Sequence, residues 1–129
     1  MSDFANLMTR TVAAANDLRT MQYTIQRQAG AGTCDIASHA AATLVLGPMG
    51  VLTNKPNSGQ AATIAYAGET KVVAGGSVTV NVAVSTNSSG RATAAVSGDI
   101  IIGRALEAAG ADGEVIRMLL QAPTPLLRE

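Results

Sequence analysis

The fold is decided by the reading of Ser97-Gly98-Asp99-Ile100-Ile101-Ile102-Gly103-Arg104-Ala105-Leu106-Glu107-Ala108-Ala109-Gly110-Ala111-Asp112-Gly113-Glu114-Val115-Ile116-Arg117-Met118-Leu119-Leu120. Residues 104–109 are good helix formers, but Gly103, Gly110 and Gly113 confine any helix to about six residues, too few to nucleate unaided. The flanks point the other way. Residues 100–102 and 115–120 are short apolar runs, partly β-branched and bounded by Gly and Asp, the pattern of strands buried on both faces. The stretch therefore reads as strand, Gly bend, extended connection with a tight Asp112-Gly113 turn, and strand.

Working outward, the same strand-and-turn text continues upstream. Residues 77–85 place Val78, Val80, Val82 and Val84 on one face and Thr79, Asn81 and Ala83 on the other, a period of two that predicts a half-buried strand. Residues 61–67 and 70–74 flank Gly68-Glu69 as a hairpin-like pair, and Gly75-Gly76 reverses the chain again. Residues 91–96 read as a weaker strand after the turn at 86–90. Residues 18–28 alternate Met21, Tyr23 and Ile25 with Thr20, Gln22, Thr24 and Gln26, a further half-buried strand. Residues 33–38 and 42–46 read as short strands. Gly50 opens Val51-Leu52, and Pro56 keeps the following loop out of any central ladder.

An internal echo links the two halves. Gly50-Val51-Leu52 followed by Gly59-Gln60 and an apolar strand parallels Gly103-Arg104-Ala105 followed by Gly113-Glu114 and an apolar strand. Two such units in one small domain suggest a pseudo-symmetric sandwich or barrel; chance similarity in Gly/Ala-rich text is the competing reading. The fold class expected is mostly β: a small antiparallel β-sandwich or barrel-like domain over residues 17–122. An extended N-terminal arm over 1–16 precedes it and a short tail over 123–129 follows. The arm carries Phe4, Leu7, Met8 and Val12 without a helical period, and removing residues 1–12 is expected to leave the fold intact. Leu126 and Leu127, beyond Pro123-Thr124-Pro125, are apolar residues with no element to belong to.

Composition narrows the function. Charged residues make up 14% of the 129 residues and the formal net charge is zero, well under the roughly 25% charged fraction of an ordinary soluble domain. Much of the surface is therefore expected to be covered in the working state. Seven Arg and two Lys are scattered singly, which argues against nucleic acid, whose binding needs a basic stripe. Phe4, Tyr23 and Tyr66 are the only aromatics, too few for a base-stacking platform or an aromatic sugar cleft. No charged and apolar leader opens the chain and no apolar run reaches membrane-span length. The expectation is a soluble protein made in a cytoplasm, with no membrane partner. Asn87-Ser88-Ser89 reads as a turn rather than a glycosylation site.

Chemistry is hard to find. Cys34 cannot form an internal disulfide. With His39 five residues on, it makes no triad spacing, and a small buried thiol beside a surface imidazole is the expected arrangement. Gly30-Ala31-Gly32 lacks the third glycine and the helix of a dinucleotide fingerprint. Single His and Cys residues and nine isolated carboxylates supply no clustered metal spacing. Asp99 and Asp112 sit beside Gly as turn formers. Glu107 and Glu114 would pair only if the intervening loop folded back, and the arginines read as solvated or inter-subunit ion pairs. No enzyme motif, cofactor site or metal site is expected.

The run Gly98-Asp99, Gly103-Arg104-Ala105-Leu106-Glu107-Ala108-Ala109, then Gly113-Glu114-Val115-Ile116 and Leu119-Leu120, resembles the C-terminal signature of bacteriophage capsid cement (head decoration) proteins. Gly50-Val51-Leu52-Thr53-Asn54-Lys55-Pro56, Gly59-Gln60-Ala61-Ala62-Thr63-Ile64 and Lys71-Val72-Val73-Ala74-Gly75-Gly76 are similar to that family's middle section in the same order. The resemblance covers about residues 45–121. It implies a non-enzymatic structural protein on the outer capsid surface of a virion, made in the host cytoplasm. Its partner would be the major capsid protein, whose lattice it stabilises, and its state a homo-oligomer, with a trimer favoured. Weak patches repeated in an oligomer gain avidity, which suits such a role. Phe4, Leu7 and Met8, with Leu126 and Leu127, are the expected capsid or subunit contacts. The alternative function is a free-standing β-sandwich module that binds a glycan or another polymer.

Overall fold

The structure, a computed structural model, describes residues 8–36, 49–87, 89–95, 100–120 and 126–127. Among them lie eleven strands and no helix: β1 (Met8–Ala14), β2 (Ile25–Gly30), β3 (Thr33–Ile36), β4 (Gly50–Leu52), β5 (Ala61–Val73), β6 (Ala83–Thr86), β7 (Ala92–Ala94), β8 (Ile100–Ile101), β9 (Gly103–Ala105), β10 (Val115–Leu120) and β11 (Leu126–Leu127). The mostly-β reading holds.

Nine strands form one sheet in the order β1-β3-β2-β4-β5-β10-β9-β6-β7, and β1 pairs back onto β5. That pairing closes a first ring of β1, β3, β2, β4 and the N-terminal half of β5. All its contacts are antiparallel except β1–β3, which is parallel. The C-terminal half of β5 opens a second ring through β10, β9, β6 and β7, and an Ala74–Ala92 bridge returns it to the end of β5. β5 therefore belongs to both rings.

The rings are structural repeats. Tyr23 donates its N–H to the Leu52 carbonyl at 2.7 Å and Asn81 to the Ala105 carbonyl at 2.7 Å; Leu52 donates to Thr24 at 2.9 Å and Ala105 to Val82 at 3.0 Å. Ala14 and Ala74 donate to Gln60 and Glu114, and accept from Gly59 and Gly113, respectively. Tyr23 and Asn81, at φ 68 and 70, are the two described non-glycine residues in the left-handed region. The first ring encloses Val12, Ala14, Leu18, Cys34, Leu52, Ala62 and Ile64. Their counterparts Val72, Ala74, Val78, Ala92, Ala105, Ile116 and Met118 are all buried in the second core. The echo at Gly50 and Gly103 is thus a full repeat.

The second core also takes in Ile25, Val51 and Ala65 from the first ring. Ile25 pairs with Val51 and Val51 with Ala65, so the three form one row across β2, β4 and β5. Strand alternation turns this row away from Leu52 and Ile64, and it roofs the neighbouring ring.

Several expectations are corrected. Residues 8–14, assigned to the arm, form β1, because Arg10, Thr11, Val12 and Ala13 find backbone partners in β5; residues 1–7 lie outside the described residues. Residues 18–24 are turns, and the strand starts only at Ile25. Gly68-Glu69 is no hairpin turn: β5 runs through it as one strand, with Gly68 at φ 97 and a register shift at its pairing with Met8. The valine-alternating stretch becomes strand only at Ala83, since Val82 donates back to Thr79 and Asn81 turns left-handed; Val78 is buried and Val80 is 60% exposed. Gly103 is the first residue of β9 and pairs with Leu120 and Val84 rather than forming a bend. The expected strand over 42–46 falls outside the described residues.

Candidate functional site

Among the described residues the feature that stands out is one face of the second ring. On β10, Ile116, Met118 and Leu120 point inward and are buried, so Val115, Arg117 and Leu119 point outward. β10 was expected to be buried on both faces, and it is covered on one. Leu119 pairs with Glu69 of β5 on one side and with Arg104 of β9 on the other. Leu106, just past β9, donates its N–H to the Arg117 carbonyl at 2.9 Å. Among the described residues, five large apolar side chains are exposed, and Leu106 (40%), Val115 (49%) and Leu119 (44%) share this surface.

Charge surrounds that apolar group. Arg117 Nη1 lies 3.0 Å from Glu69 Oε2, and Arg104 Nη1 donates to the Asn81 carbonyl at 2.8 Å. Glu107 does not meet Glu114: its Oε1 accepts the Arg117 N–H at 2.8 Å. Glu114 Oε2 accepts the N–H groups of Gly110 and Ala111 at 2.9 and 3.2 Å, closing the loop before β10. Asp112, expected as a turn former, also pairs with Arg91 at 2.7 Å. Arginines read as solvated or inter-subunit thus pair within the chain.

Of the interface residues expected from the sequence, Met8 begins β1, lies against Ala67 and is 52% exposed. Leu126 and Leu127 are not without an element: as β11 they pair antiparallel with Ile101 and Ile100 of β8. Phe4 and Leu7 lie outside the described residues, so no geometry joins them to Met8. Cys34 is buried, and burial, reinforced by the Asp35 charge, pushes its thiol pKa up. A thiol held protonated is a poor nucleophile. His39, Ser88 and Asp99 lie outside the described residues. Among those described, no group of three His, Cys, Asp or Glu side chains could hold a metal ion, and no helix is long and apolar enough to cross a membrane.

The outward row on β10 went unnoticed in the sequence because its apolar residues alternate with other apolar residues. The signal that could have found it is the echo. Ala61, Thr63 and Ala65 of the first repeat stand where the second has Val115, Arg117 and Leu119, larger side chains at outward positions.

These features define a class of fold: an all-β chain of two repeated rings that share one long strand. A solved structure with this fold is the base of a phage head fiber, the "head fiber gp8.5 N base in bacteriophage phi29". The match has a TM-score of 0.67 at 18% sequence identity and covers 89% of this chain and 94% of that one. No protein-family description matches the chain, and neither does any curated protein.

Proposed function

We propose that this protein is a non-enzymatic structural component of a phage head, a decoration or cement protein that binds the outer capsid surface and stabilises the lattice of the major capsid protein. The supporting observation is the fold shared, over nearly the full length of both chains, with a protein whose solved structure is described as a phage head fiber base. The low charged fraction and the zero net charge suit a chain that spends its working life covered. On this reading the protein works as a homo-oligomer, a trimer being the favoured state, and needs no cofactor. Phe4, Leu7 and Met8, with Leu126 and Leu127, are the proposed anchors to capsid or neighbouring subunit.

The test is to mix the purified protein with assembled capsids that lack it and sediment them. Co-pelleting at a fixed ratio to capsid subunits supports the reading; protein left in the supernatant overturns it. Replacing Phe4 and Leu7 with Ser is expected to lower the pelleted fraction at least tenfold without changing the circular dichroism spectrum. Undiminished binding would remove the N-terminal anchor.

A further inference from the structure

The repeat shows what one face of each ring is for. In the first ring the outward row Ile25–Val51–Ala65 is fully buried, because the second ring is built on it. By register, the same row of the second ring is Ala83–Arg104–Leu119: Ala83 pairs with Arg104, and Arg104 with Leu119. Among the described residues no third ring is built on this row: Ala83 is half-buried and the rest lies open. Leu119 is 44% exposed and Arg104 is exposed, with Leu106 and Val115 beside them.

The open row also differs from the buried one in a way that selects an occupant. Across three adjacent strands it reads Glu69, Leu119, Arg104: an anion, an apolar centre and a cation, with about 10 Å between the outer Cα atoms at ordinary strand spacing. Such a row complements itself under rotation. With Leu119 at a symmetry axis, Leu119 meets its own mates, and Arg104 of each copy faces Glu69 of the next. Glu69 is also held by Arg117 of its own chain at 3.0 Å, and Glu107 accepts the Arg117 N–H, so the face carries two anions and two cations, and a partner of one charge sign would leave two of them opposed.

We infer that this face, centred on Leu119 and flanked by Arg104, Glu69, Leu106 and Val115, is where copies of the chain meet. The inference deepens the oligomeric part of the function proposed above by naming its contact, and it is tested without capsid. Arg104 is steadied by its bond to Asn81, which limits the side-chain entropy lost on pairing. Apolar contact at the centre, ringed by opposite charges, is the composition of a specific interface.

The experiment is the solution mass of the full-length chain by light scattering, across a dilution series, for wild type, Leu119→Gln, Arg104→Glu, the double swap Arg104→Glu with Glu69→Arg, and Val80→Gln. Val80, 60% exposed and no part of the paired row, is the control for general surface stickiness. Circular dichroism and the urea midpoint establish that each variant is folded. The expected result is a closed oligomer of defined mass for wild type and Val80→Gln. The dissociation constant should rise at least tenfold for Leu119→Gln and Arg104→Glu and recover substantially in the double swap. A monomeric wild type, or oligomers indifferent to Leu119→Gln and Arg104→Glu, overturns the inference. So does a Leu119→Gln variant that keeps its mass but no longer sediments with capsids, for the face would then belong to the capsid. Failure to bind capsid by a protein that oligomerises as expected would count against the proposed function alone.

Discussion

At the scale of single residues, the repeat makes paired predictions. Gly50 and Gly103 occupy equivalent places, and a Cβ on either would run into a neighbouring carbonyl oxygen, that of Ala65 for Gly50 and that of Leu119 for Gly103. Strand pairing sets that approach, so neither backbone can give way cheaply. Gly50→Ala and Gly103→Ala should each cost about 2–3 kcal/mol, the upper part of the roughly 1–3 kcal/mol typical of forcing volume into a packed site. Gly59 and Gly113 are also equivalent, but they are held at φ 81 and 95 with open space where a side chain would go. Alanine there costs only the left-handed conformation, about 1–2 kcal/mol. Urea unfolding of the four variants should give two matched pairs. A Gly103→Ala variant as stable as wild type would contradict the strand register given above.

A second residue-scale prediction concerns Asp17. Hydrogen bonds from the Arg19 side chain and backbone lower its pKa from 3.8 to about 2. Because the folded value is depressed, the contribution is fully present above the unfolded value of 3.8 and is lost progressively as pH falls from there through about 2. The pair is exposed at the surface, so the effect on global stability is small. Carboxyl 13C shifts should show Asp17 titrating near 2, and Arg19→Gln should return it toward 3.8. Such local pairs are easy to read from sequence. The long-range pairs of Arg91 with Asp112 and Arg117 with Glu69 are not, because only the folded topology brings them together.

At the scale of elements, β5 carries the architecture, and it is where the sequence misleads most. Gly68-Glu69 between two apolar runs is a hairpin signal by local chemistry. Ladders on both halves override it: Met8 and the strand after it hold residues up to Ala67, and Leu120 to Val115 hold Gly68 to Val73. Long-range pairing of this kind leaves no local signature. The valine-alternating stretch fails for a related reason, since its second-ring turn copies the turn at Tyr23, where alternation had also predicted strand. What could be read was the signature stretch with its rejected helix, the short strands β3, β4 and β7, and the Gly50/Gly103 echo. The exposed row on β10 could have been read by aligning the echo residue by residue.

The strand status of β1 changes the expected effect of shortening the chain. Removing residues 1–7 spares every described ladder, whereas removing 1–12 takes most of the strand that closes the first ring against β5. The longer deletion also removes Val12 from the core. It should lower the urea midpoint sharply or abolish the cooperative transition, while the 1–7 deletion leaves the midpoint within error. Equal stability of the two shortened chains would show that β1 is dispensable, contrary to its place in the ring.

At the scale of the whole molecule, the two rings are bound to unfold together. They share β5, so each ring closes against a strand that the other also holds. The roof of the second core is the outer row of the first ring, Ile25, Val51 and Ala65, all fully buried. Backbone bonds cross as well: Val73 donates to the Tyr23 carbonyl at 2.8 Å and Ile25 to the Gly90 carbonyl at 2.6 Å. A free second ring would expose a core whose lid is missing, and the cost of that apolar surface, about 25 cal/mol per Å2, exceeds what so small a ring could supply. Unfolding in urea should therefore be a single transition. Cys34, buried in the first ring, gives a probe of that ring through its reaction with a thiol reagent, and slow amide exchange at Met118 gives a probe of the second. The two should report the same opening free energy, equal to that from circular dichroism. Val51→Asp, which places a charge under the second core without touching the first, should lower both by the same amount. Loss of protection at Met118 with Cys34 still shielded would mean instead that the first ring stands alone and the second folds on it afterwards.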